Sequence, residues 1–107
     1  MSNRVLTRDL SDSRDRQNQG QTLPAEIVKA RGIDWAVHID AYLTQAAKVG
    51  DRYVALVYGD RSGVSLDGMT VATPPIECVQ VRGGFKLMRS VGGDHYVIAS
   101  EQAHDDL

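Results

Sequence analysis

The sequence is poor in the residues that staple or anchor a protein. It has one cysteine, Cys78, so no disulfide can form within the chain and a zinc site built on several cysteines is excluded. Aromatics are only 6% of the 107 residues, with a single tryptophan and a single phenylalanine, so exposed rings on which unpaired bases could stack are scarce. No apolar run approaches the roughly 20 residues of a membrane-spanning helix. The opening residues MSNRVLTRDLSDSRDRQ lack the apolar core of a secretory leader, which leads to the expectation of a cytoplasmic protein. A net charge of −2 argues neither for a nucleic-acid binder nor for an acidic decoy. The one asymmetry is Asp94–Leu107, with four acidic and no basic residues, and tails of this kind are usually just solvated.

What the sequence does have is punctuation. From Asp67 to Ser100, short apolar runs are separated by Pro74-Pro75, Gly83-Gly84 and Gly92-Gly93, which reads as a β-meander with tight turns. Val79 and Val81 alternate with Gln80 and Arg82, the period of a strand with one wet face. Gly83-Gly84 supplies the positive φ angles of a two-residue turn, so Ile76–Arg82 and Phe85–Val91 are expected to pair antiparallel, with His95–Ser100 returning after Gly92-Gly93. Met69–Thr73 opens the meander, and the prolines after it donate no ladder hydrogen bond. Upstream, Arg52–Tyr58 is apolar on both parities, the pattern of a strand covered on both sides and hence of a central one.

Before the strands, Thr22 to Glu26 carries proline at a helix start, predicting a short helix that ends near Gly32. Trp35, Ile39, Tyr42, Leu43, Ala46 and Val49 recur at spacings of three and four, which predicts a second, main helix over Asp34–Val49, capped by Asp34 and terminated by Gly50. Residues 1–21 are polar, with Val5, Leu6 and Leu10 as sparse apolar anchors, and read as a flexible arm ahead of one domain over 22–107. The fold class expected is α+β: two N-terminal helices packed on a small curved antiparallel β-meander. A sheet of this size with glycine-rich bends can close partly into an SH3-like open barrel. Trp35, Ile39, Leu43 and the strand Tyr53–Val57 are the expected centre of the core.

Chemistry is thin. Cys78 with His95 and Glu77 or Asp94 is the one nucleophile-and-base set, but mid-strand position gives Cys78 no helix terminus to activate it. His38, His95 and His104 lie at no metal-ligand spacing, and Asp34 with His38 reads as a surface pair. Gly59-Asp60-Arg61-Ser62-Gly63 lacks the lysine and the following helix of a phosphate loop and reads as a turn. Arg82, Lys86 and Arg89 on the hairpin, joined by Arg4, Arg8, Arg14 and Arg16, could contact phosphates, although Tyr53, Tyr58 and Tyr96 lie in strands where burial competes with stacking. No catalytic residue, cofactor site or metal site is therefore expected.

The expectation that remains is a small non-enzymatic module that binds another protein as its regulator or inhibitor, in the style of the accessory proteins of mobile elements. Its contacts would come from Val5, Leu6 and Leu10 on the arm and Arg82, Lys86 and Arg89 beside an open strand edge. Two alternatives stand beside it: nucleic-acid binding through the hairpin charges, and an enzyme built on Cys78 and His95.

Overall fold

A computed structural model describes residues Leu23–Gln102. The arm over 1–21, with Val5, Leu6, Leu10 and its four arginines, lies outside the described residues, as does His104.

Among these residues one short helix, α1 (Ala25–Arg31), precedes six strands: β1 (Ala41–Val49), β2 (Arg52–Tyr58), β3 (Thr70–Ala72), β4 (Ile76–Arg82), β5 (Phe85–Ser90) and β6 (His95–Ile98). They form one mixed sheet in the order β3-β2-β1-β6-β5-β4. The chain thus makes two three-stranded antiparallel meanders, β1-β2-β3 and β4-β5-β6, joined through the parallel pair β1–β6. That pairing corrects the wholly antiparallel expectation. It also makes β1 and β6 the central strands, while β2, expected at the centre, stands second from the β3 edge.

The larger correction concerns Ala41–Val49, expected as the main helix and found as β1. The cause is a β-bulge. The register with β2 shifts between Thr44 and Ala47, and Gln45 there takes φ 52°. Leu43 and Ala46 consequently face the same side although three residues apart, and an extra residue inside a period of two imitates a period near 3.5. Burial on both faces adds to the imitation, since Tyr42 and Thr44 on the opposite parity are also covered. Asp34 caps no helix. Its Oδ1 accepts the N–H of Ala36 at 2.9 Å, a local turn that leads Trp35 inward.

The sheet carries apolar layers on both faces. On the inner side of its curl, Leu43, Ala46, Tyr53, Ala55, Val57 and Met88 pack together with Ile98. The start of β4 reaches back to the β1–β2 turn, where Ile76 N–H donates to the Asp51 carbonyl at 2.9 Å. On the outer side, α1 lays Ile27 and Ala30 over Trp35, Leu87, Val97 and Ala99. The helix begins at Pro24, whose carbonyl accepts from Ile27 and Val28, and stops at Gly32, as its sequence predicts. Trp35, Leu43, Tyr53, Ala55 and Val57 are core residues as expected, but Trp35 and Leu43 lie in different layers, Ile39 and Leu56 are only partly buried, and Val54 on β2 is exposed.

Candidate functional site

Gly83 and Gly84 both have positive φ, 60° and 87°, and close the expected hairpin between Arg82 and Phe85. Strand pairing then fixes where the hairpin's cations go. Arg82 stands opposite Phe85, on the side of α1, whereas Lys86 stands opposite Val81 on the inner side. The two cations therefore share no patch across the turn. Each also has a partner within the fold. Arg82 Nη1 donates to the Asp34 carbonyl at 2.7 Å, Lys86 Nζ meets Glu101 Oε2 at 2.7 Å, and Arg89 Nη2 meets Glu77 Oε2 at 3.5 Å. The hydrogen bond that Lys86 donates to Glu101 holds it protonated above the ordinary lysine range, against a smaller opposing effect of burial.

Cys78 and His95 are kept apart by the same register. Glu77, Arg89 and His95 form one cross-strand row, while Cys78, Met88 and Tyr96 form the next row on the opposite face. The thiol and the imidazole cannot meet across a sheet, so the Cys78–His95 pair is not assembled. Cys78 is exposed, with its Sγ 3.6 Å from the Gln80 carbonyl. Among the described residues no three His, Cys, Asp or Glu side chains converge as a metal site.

The Gly59–Gly63 segment offers no anion cradle, because its amides are used internally. Gly59 N–H donates to Asp67, Arg61 N–H to the Asp40 carbonyl and Gly63 N–H to the Asp60 carbonyl. The Asp60 carboxylate accepts from Ser62 N–H at 3.0 Å and from Ser65 N–H at 2.9 Å. These bonds make the β2–β3 connection a fixed loop whose Val64 and Leu66 are 64% and 71% exposed.

That loop borders a cavity of about 230 Å³ with Leu43, Val57 and Val71 among its apolar lining. Asp40, Asp60 and Asp94 also line it, with Ser65 and Tyr96. The sequence reading did not assemble this group. Its members come from four separate stretches of chain; the sequence marked Asp60 as part of a glycine-rich turn and Asp94 as a partner for Cys78 and His95, with nothing to join the two.

The other exposed feature is β4. Six of its seven residues are exposed, and among the described residues it pairs along one side only, with β5. Val79 and Val81 are 40% and 61% exposed.

No model of a known protein family, no curated protein and no solved structure matches the chain.

Proposed function

We propose that the protein is a non-enzymatic binding module that docks on a partner protein and regulates or inhibits it, in the style of a small accessory protein of a mobile element. The observation that supports this reading is the open edge of β4, a strand exposed at six of seven positions at one end of the sheet order. A free edge presents unpaired N–H and C=O groups to which an extended partner segment can add as a further strand. We read the curled sheet as a partly open barrel of the SH3-like kind, with β4 as its lip.

The chemistry of the edge follows from the turn. A two-residue turn closes on a hydrogen-bonded pair, here Arg82 and Phe85. By alternation Val81 and Lys86 form a pair without mutual hydrogen bonds, so Val81 directs its N–H and C=O outward. The register shift between Cys78 and Gln80 marks where a docked strand must break, which leaves Val79–Arg82 as the pairing segment. Val79 and Val81 supply apolar contact, and Arg82, Lys86 and Arg89 set orientation by charge rather than main affinity, since each already has a partner. Val5, Leu6 and Leu10 on the polar segment 1–21 add a second contact that orders on binding.

Affinity capture from host lysate tests this with the full chain, with Val81→Pro and with residues 1–20 deleted, each checked by circular dichroism and thermal melting. Proline at 81 removes an outward donor and leaves the ladder to β5 intact. The full chain is expected to retain a stoichiometric protein that the proline variant loses at an unchanged melt. Recovery of no stoichiometric protein in any form, or equal capture by Val81→Pro, overturns the reading. Recovery of nucleic acid that elutes steeply with salt selects the hairpin-charge alternative instead.

A further inference from the structure

We infer that the cavity beside the β2–β3 loop is a binding site for the ammonium or guanidinium side chain of a lysine or arginine presented by a partner. This site is separate from the β4 edge and does not depend on it. Its volume of about 230 Å³ falls below the roughly 300–1,000 Å³ of pockets for drug-sized ligands. One side chain is the scale it suits.

The lining divides as such a side chain does. Leu43, Val57 and Val71 offer an apolar wall for an alkyl stem, and Asp40, Asp60 and Asp94 place carboxylates around it. The carboxylates are not equivalent. Asp60 is occupied with loop amides. Asp40 Oδ2 accepts the N–H of His95 at 2.8 Å, and its Oδ1 lies 3.9 Å from Arg61. Asp94 has a hydrogen bond through its backbone N–H to Ser90, and its carboxylate takes part in no ion pair among the described residues. It is the acceptor left for a ligand.

Ser65 points the same way. The residue is only 7% exposed and lines the cavity, and its hydroxyl has no hydrogen-bond partner among the described residues. Its hydroxyl is not among the fully buried unsatisfied atoms, so it faces the cavity with its hydrogen-bonding capacity open to a ligand. An ammonium or guanidinium donor between Asp94 and Ser65 would fill that capacity. A metal ion is the poorer fit, because among the described residues no three ligating side chains converge, whereas an organic cation spreads its donors over a wider space. Val64 and Leu66, exposed on the fixed loop, supply apolar contact for the residues flanking the inserted side chain at little ordering cost.

The test is a ¹H–¹⁵N NMR titration of the full chain with n-butylamine, with n-butylguanidine, with neutral 1-pentanol and with a short lysine- and leucine-containing peptide. Shifts confined to Ser65, Asp94 and Tyr96 are expected with both cations and not with pentanol. The peptide is expected to bind more tightly than the free amine. Asp94→Asn should weaken butylamine binding by about threefold, the scale of one partly exposed charge pair, and Val71→Phe, which enlarges a side chain of the cavity's apolar wall, should abolish it. Neither substitution touches the β4 edge, so failure here leaves the docking reading standing. Equal response to pentanol, no response to either cation, or an unchanged affinity in both variants overturns the inference. Binding of the free amine but not of the peptide overturns its assignment to a partner's side chain.

Discussion

Asp40 and His95 hold each other through two bonds. Asp40 N–H donates to the His95 carbonyl at 2.7 Å, and His95 N–H donates to the Asp40 carboxylate at 2.8 Å. These residues stand at the entrance to β1 and β6, which pair in parallel, so their bonds set the register in which the two meanders join.

Asp40→Ala is therefore expected to destabilise the protein by about 1–3 kcal/mol, since it removes a charged acceptor and leaves a partly buried N–H unmet. Urea unfolding of the variant measures this. A loss below about 0.5 kcal/mol, the range of ordinary surface changes, would show that the two meanders join without this bond.

Leu43 and Thr44 are neighbours on β1 with opposite expectations. Leu43 is 1% exposed within the inner layer, and Leu43→Ala should cost about 2–5 kcal/mol. Thr44 is also 1% exposed, and among the described residues its Oγ1 has no hydrogen-bond partner. Thr44→Val keeps the shape and removes the unmet hydroxyl, so it should raise stability by about 1 kcal/mol. A stability loss in Thr44→Val would reveal a partner for that hydroxyl.

The pair Lys86–Glu101 predicts a coupling that depends on pH. Glu101 raises the pKa of Lys86 above its ordinary 10.5, so the folded chain holds this proton more tightly than the unfolded one. Stabilisation from the pair is complete below the unfolded value and is lost as pH rises through the folded one. Both side chains are about 40% exposed, at 41% and 37%, so a double-mutant cycle with Lys86→Met and Glu101→Gln should return only about 0.2–1 kcal/mol at neutral pH. Burial raises Tyr42, Tyr53 and Tyr58 as well, with Glu101 adding to the effect at Tyr53. Their ionisation also destabilises the fold at high pH, and the cycle separates Lys86 from that background. A coupling that persists undiminished in strong alkali would contradict the assignment.

Cys78 is exposed and faces away from His95. Ellman's reagent should modify it in the native protein, and Cys78→Ser should change stability by less than about 0.5 kcal/mol with partner capture intact. Loss of capture or of any activity in Cys78→Ser would return the thiol to the centre of the account.

Much of the sheet was legible because its punctuation is local. Pro74-Pro75, Gly83-Gly84 and the alternation between them fix β4 and β5, and Arg52–Tyr58 stands where its apolar run predicts. What misled was β1, where the Gln45 bulge and burial on both faces produce a helical spacing in a strand. Long-range facts were out of reach for a different reason. That Arg82 and Lys86 part to opposite faces follows from parity within the hairpin, but that Asp40, Asp60, Asp94 and Ser65 share one cavity depends on the parallel joining of two meanders. No short spacing encodes it.

The claim that β4 is a docking edge is tested most directly by amide hydrogen exchange along Gln80, Val81 and Arg82, with and without the captured partner. Gln80 and Arg82 pair inward with Leu87 and Phe85, so their N–H groups should be protected in both states. Val81 N–H should exchange fast in the free protein and slow by an order of magnitude or more in the complex. Fast exchange at Val81 in a fully formed complex would contradict the account.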